Sequence, residues 1–188
     1  MERYVRIFGI TEQLSFDGYT TAAGNYDLSE ASTLQFAWSG IGQHLDQINP
    51  CQFMSFMGAI AGGGTGVQPY VVSKVNVGSE TTYTAKTVTS DRIMSRATAK
   101  TLQELLQNNT EVKYGAENFP GLTVCAKSGT GEVGGEIEPN AMFAGFVADE
   151  EYPLAFIVAI EKGGYGSKTC IPILRQVLQA CVSSFEGQ

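Results

Sequence analysis

Histidine is almost missing from this chain, which has only His44 in 188 residues, and its cysteines stand far apart at positions 51, 125, 170 and 181. With no CxxC pair and a single imidazole, a zinc site has too few ligands. The four cysteines read instead as reduced, apolar packing residues. Positive charge is also short: 12 Lys and Arg face 19 Asp and Glu, a net charge of −7. That excludes a general nucleic-acid binder, which needs a basic face. The sequence has no run of 18 apolar residues and no leader pattern at its start, so the expectation is a soluble piece. Internal repeats and low-complexity tracts are absent as well.

What is present describes one globular domain, with 43% hydrophobic and 16% charged residues. Residues 1–10 read as the last turns of a helix stopped at Gly9. Residues 11–37 are rich in Thr, Ser, Gly and Asp without periodicity and read as a long, loop-rich lead-in. Such a loop is usually functional or part of something larger. Residues 49–110 form a helical part. Asn49-Pro50 starts a helix carrying Phe53, Met54, Met57 and Ile60 on one face, and Gly62-Gly63-Gly64 ends it. Residues 69–72 and 75–89 predict short strands, and Asp91 to Asn108 a second helix. Residues 121–185 hold three strands, Leu122–Ser128, Ala141–Val147 and Leu154–Ile160, then a closing helix over Lys168–Ser184. The short connections favour antiparallel neighbours.

The chemistry concentrates at the end of the first of these strands, Lys127-Ser128-Gly129-Thr130. A lysine at a strand end is usually a solvated charge or a guard against edge-to-edge pairing. Here two hydroxyls, Ser128 and Thr130, stand two residues apart on one side of the strand beside that cation. Gly129 between them has no side chain, so a ligand can approach the backbone. This set suits a carboxylate, and a free strand N–H can stabilise an oxyanion.

KSGT followed by GE, with FAGF on the next strand and LAFIVAIE on the one after, resembles the Lys-Thr/Ser-Gly end of a penicillin-binding protein transpeptidase domain. Ile41-Gly42-Gln43, Asn49-Pro50, Ala61 to Gly64, Gln68-Pro69-Tyr70 and Gly115-Ala116 follow the same family's order. The resemblance covers most of residues 35–185 and is weak over 1–34. It implies an α/β fold of the α+β type, antiparallel strands with flanking helices, equivalent to the C-terminal half of a β-lactamase/transpeptidase-like fold over residues 1–188. Two further signatures of that superfamily, SxxK and SxN, are absent: no lysine has Ser three residues before it and no asparagine has Ser two before it. The nucleophilic serine is therefore expected upstream, in an N-terminal half of the domain not contained here.

The resemblance further implies roles. Lys127 would supply charge to the serine–lysine–serine proton network. Ser128, Gly129 and Thr130 would bind substrate, the hydroxyls holding the terminal carboxylate of a peptidoglycan stem peptide or of a β-lactam antibiotic. The N–H of Thr130 would form half of the oxyanion hole. Ser128 replaces the commoner Thr and retains the hydroxyl. No cofactor and no metal are expected. The parent protein would be membrane-anchored, with its catalytic domain outside the bacterial cytoplasmic membrane. It would be a serine-type D,D-transpeptidase, with this fragment alone inactive. A non-catalytic β-lactam sensor, told apart by a parent lacking SxxK, and a β-lactamase, told apart by fast deacylation, are the alternatives. With the upstream half missing, the edge of Leu154–Ile160 is expected to be capped by another chain or by a second copy in a homo-oligomer.

Two literal motif matches fail in context. Gly121 to Ser128 comes within one residue of a P-loop, but Ala126 stands where Gly belongs and no helix follows. Gly129-x-Gly131-x-x-Gly134 also lacks the following helix whose dipole would hold a pyrophosphate. His44 has no Ser or Asp partner placed by the sequence and reads as a surface or interface residue. Trp38 and the Phe/Met set at 53–57 read as core or cleft wall, with core favoured. The acidic residues at 132, 136, 138 and 149–151 read as solvated turns.

Overall fold

The strand Asn140–Val147 (β6) carries Ala, Met, Phe, Ala, Gly, Phe and Val almost without interruption, a pattern that requires apolar cover on both faces. In the computed structural model, which describes residues 1–187, it is the middle strand of a three-stranded antiparallel sheet. Val124–Gly131 (β5) flanks it on one side and Ala155–Ile160 (β7) on the other. Residues Ser128 and Phe143 face each other in the first pair, and Phe143 and Val158 in the second. Glycine is obligatory at 145, because a Cβ there would lie 2.2 Å from the carbonyl oxygen of Cys125.

The period-two alternation divides the sheet's side chains between two cores. One face gives Val124, Ala126, Phe143, Val147 and Phe156 to the closing helix Gly166–Glu186 (α5), which answers with Cys170, Ile171, Leu174 and Leu178. The other face gives Cys125, Ala144 and Phe146 to Met57 and Ile60 of the helix Pro50–Ala61 (α3). Arg96–Asn109 (α4) lies beside α3 and brings Leu102 and Leu106 to the same cluster. Phe143 is fully buried and stacks on Phe156 at 6.2 Å between centroids. Each such side chain contributes roughly 1.5–3 kcal/mol on burial.

Several elements follow the sequence pattern. Glu2–Phe8 (α1) stops at Gly9, which takes the left-handed conformation at φ 61°. Asn49 caps α3, its side chain accepting from the Cys51 N–H at 3.0 Å.

Others depart from it. The lead-in expected as loop contains a two-stranded hairpin, Ser15–Phe16 (β1) and Tyr19–Thr20 (β2), turned by Asp17-Gly18 with both φ angles positive. It also contains a helix, Thr33–Ser39 (α2), started by a reciprocal box between Ser32 and Gln35. Residues 69–72 are not a strand, because the N–H groups of Val71 and Val72 donate to the Asp17 carboxylate at 2.7 and 2.9 Å instead of to a ladder. Residues 75–89 yield the exposed hairpin Lys74–Val77 (β3) and Glu80–Thr84 (β4), and beyond it only a single bridge from Thr89 to Val67. The helix expected from Asp91 begins at Arg96. Ser95 caps it there, accepting from the Thr98 N–H at 3.0 Å, while Ile93 donates to the Gly64 carbonyl.

No helix among the described residues is long and apolar enough to cross a membrane. β7 is the edge strand opposite β5, with the Phe156 side chain buried beneath it.

Two measurements test this account. Asn49 is 2% exposed, and its amide nitrogen donates to the Glu12 carbonyl and the Thr21 hydroxyl, tying the lead-in to α3. Asn49→Ala is expected to cost about 2–4 kcal/mol in urea denaturation, a lost cap plus stranded polar partners. The thiol of Cys125 is pushed up to about 11, first by burial and then by Asp149 and Glu111. A pKa raised in the folded state gives stability that is present below the unfolded value near 9 and lost as pH rises towards 11. Between about pH 8 and 11, wild type should therefore lose roughly 2 kcal/mol more than Cys125→Ala, read as the difference in unfolding free energy.

Candidate active site

β5 pairs with β6 on one side only, so every second residue turns its N–H and C=O to open space. Three contacts mark which residues these are. The Ala126 carbonyl accepts from Asn109 Nδ2 at 2.9 Å, the Ser128 N–H donates to Tyr114 Oη at 2.8 Å, and the Thr130 carbonyl accepts from Gln43 Nε2 at 3.3 Å. The N–H of Thr130 shares its residue's outward orientation and points to the same edge.

The Ser128 and Thr130 hydroxyls share one face of the strand, as their spacing requires. Ser128 Oγ accepts from the Tyr114 hydroxyl at 3.0 Å, and Thr130 Oγ1 accepts from the Gly166 N–H at 3.2 Å. Lys127 projects from the opposite face and is exposed, yet its ammonium turns to the carbonyl of Ser128. Cation, hydroxyls and outward backbone groups thus meet along one strand edge.

Two glycines differ in what requires them. A Cβ on Gly166 would lie 2.2 Å from the Gly129 carbonyl oxygen, so the close seating of α5 on β5 demands glycine there. A Cβ on Gly129 would touch only the Met142 Cβ, at 3.5 Å. Packing within the chain therefore tolerates a side chain at 129.

Beyond the end of β5 opens a cleft of about 590 Å³, lined by Trp38, Gln43, His44, Glu132 and Val133 among others. Trp38 is half exposed and forms wall, the other of the two placements expected for it and not the favoured one in the core. His44 sits in the same wall with φ 75°, a backbone state costly for a side chain with a Cβ. Gln43 belongs both to this wall and to the edge of β5, so the cleft and the polar cluster are continuous. Among the described residues no group of three His, Cys, Asp or Glu is gathered for a metal ion.

Sequence patterns did not single out Asn109 or Tyr114. Both come from the end of α4, where the helix widens into a π-helical turn over Thr110–Tyr114 before Gly115 reverses the chain at φ 80°. Asn109 lies just past the end expected for the second helix, and nothing in its spacing connects it to the strand. Burial raises the Tyr114 phenol, but hydrogen bonds with Ser128 and Asn109 and the charge of Lys127 outweigh it, leaving the group below its ordinary value.

Comparison with known proteins sets this geometry in a family. The family model described as the penicillin binding protein transpeptidase domain matches residues 1–179. A curated relative, the peptidoglycan D,D-transpeptidase PbpA of Mycolicibacterium smegmatis, is 26% identical over 153 residues, covering 77% of this chain and 31% of that protein. Among solved structures, penicillin-binding protein A from Mycobacterium tuberculosis in its ceftriaxone acyl-enzyme complex superposes with a TM-score of 0.85 at 23% identity, covering 95% of this chain and 42% of that one. The D,D-transpeptidase domain of a peptidoglycan glycosyltransferase from Eggerthella lenta gives a TM-score of 0.77 at 23% identity, covering 95% and 47%. The chain spans about a third of the curated relative and less than half of these solved chains. Fold and family model agree, and the chain belongs to the penicillin-binding protein transpeptidase family.

Proposed function

We propose that this chain forms the substrate-gripping half of a serine-type peptidoglycan D,D-transpeptidase whose nucleophile lies in an upstream half of the domain. The observation that carries it is the single open edge of β5, where the Ser128 and Thr130 hydroxyls, the Thr130 N–H and the Lys127 ammonium meet beside a cleft. A stem peptide ending in D-alanyl-D-alanine presents the matching groups, a terminal carboxylate and a scissile carbonyl one residue away.

In the first half-reaction the upstream serine oxygen attacks the penultimate D-alanyl carbonyl. Its proton passes through the neighbouring lysine–serine network to the departing nitrogen, the C–N bond breaks, and terminal D-alanine leaves. An amine of a second stem peptide then attacks the acyl carbonyl, the serine ester C–O bond breaks as the amide cross-link forms, and the amine's proton passes to the serine oxygen. Within this sequence Lys127 favours proton movement by its charge, and the Ser128 and Thr130 hydroxyls hold the carboxylate. The Thr130 N–H stabilises the tetrahedral oxyanion, a role typically worth about 3–4 kcal/mol. A β-lactam carries the same carboxylate and an acylating carbonyl, so it enters the same grip. The parent would act at the outer face of the cytoplasmic membrane. The outer edge of β7 supports pairing with a strand of the upstream half, a second copy being the other occupant of that edge.

The chain by itself should form no adduct with a fluorescent penicillin that survives denaturation, whereas the protein carrying the upstream half should label. Lys127 is exposed, so Lys127→Ala should fold normally and slow labelling on the order of 100-fold or more. A labelling rate unchanged by Lys127→Ala would reject the role assigned to that lysine.

A further inference from the structure

We infer that Tyr114 is a positioning residue for substrate binding: its phenol fixes the Ser128 hydroxyl so that the serine proton faces the incoming carboxylate. This rests on the reading of Ser128 as a carboxylate donor. A phenolic oxygen has one proton to give and two lone pairs to fill. The lone pairs of Tyr114 are occupied by the Ser128 N–H at 2.8 Å and Asn109 Nδ2 at 3.1 Å. Its proton goes to Ser128 Oγ at 3.0 Å. The second hydrogen of Asn109 Nδ2 is committed to the Ala126 carbonyl at 2.9 Å. Every group around the phenol is therefore directed, and Ser128 Oγ is bound as an acceptor. The serine's own hydrogen donates to no other group among the described residues.

The phenol is rigidly mounted. Its ring stands edge-on to Phe143 at 5.0 Å and 71°, and Phe143 is the fully buried residue directly opposite Ser128 in the sheet. The π-helical turn Thr110–Tyr114 carries it, anchored where the buried Thr110 hydroxyl donates to the Leu106 carbonyl. Widened turns of this kind recur at functional sites because they displace one side chain from the helical register. A hydroxyl rotor fixed in advance keeps its donor aimed before the ligand arrives, which favours an anion over a neutral group at that position.

The test uses the protein carrying the upstream half and two probes, a penicillin with its free carboxylate and the methyl ester of the same compound. Acylation rate constants are measured for each, with thermal unfolding as a check on folding. Tyr114→Phe should lower the acid-to-ester ratio of acylation rates by about tenfold. Ser128→Ala should lower it at least as much, and the double variant should match Ser128→Ala, because both changes remove one unit. Equal loss with acid and ester in Tyr114→Phe would mark a general structural role and overturn the inference. A normal ratio in Tyr114→Phe alongside a reduced one in Ser128→Ala would overturn the inference alone. A normal ratio in Ser128→Ala would overturn the carboxylate reading and this inference with it.

Discussion

The one-sided pairing of β5 is the constraint on which the site depends. An edge strand exposes a row of donors and acceptors that would pair with any extended chain. Here the row is served by single side chains: Asn109 on the Ala126 carbonyl, Tyr114 on the Ser128 N–H, Gln43 on the Thr130 carbonyl, Lys127 on the Ser128 carbonyl. Point contacts of this kind occupy the row in place of a second strand's ladder. The liability of the edge and the ligand-binding use proposed for it have the same origin, which is backbone polarity left unpaired by the sheet.

The apolar core holds that edge in place from behind. Phe143 touches Tyr114 on its own face of the sheet and stacks with Phe156 in the neighbouring strand, so the aromatic layer and the polar edge share one residue. α5 contributes at a second point. Its first residue, Gly166, lies against the Gly129 carbonyl and donates to the Thr130 hydroxyl, while Leu174 and Leu178 are buried beneath the sheet. A displacement of α5 would therefore move the Thr130 side chain. On the opposite face, Met57, Ile60 and Phe146 fix α3 and α4, and α4 ends in the turn that delivers Asn109 and Tyr114. Two separate cores meet at the sheet and send polar groups to the same border.

The cleft beside that border is built from the part of the chain with least periodicity. α2 supplies Trp38, and the bend after it supplies Gln43 and His44. α2 has only seven residues, too few for a face to repeat, and what starts it is the Ser32–Gln35 box. The Asp17-Gly18 turn and the Asp17 carboxylate perform similar local work for the lead-in, the carboxylate replacing a strand ladder at Val71 and Val72. Short signals of this type are legible residue by residue, but they do not register in patterns counted over a window.

The three strands of the main sheet, their antiparallel order and the helix after Asn49-Pro50 were determined by sequence alone. Periodicity, capping residues and short connections act over a few positions, and the family pattern runs in linear order. Which groups face the open edge, and that Tyr114 and Asn109 reach Ser128 and Ala126 there, were decided only by the tertiary structure. Tyr114 stands 14 residues before Ser128. It reaches that serine because a widened helical turn and an aromatic contact with the central strand bring it there. Neither has a sequence period to announce it, since both depend on where separate elements come to rest against a shared core.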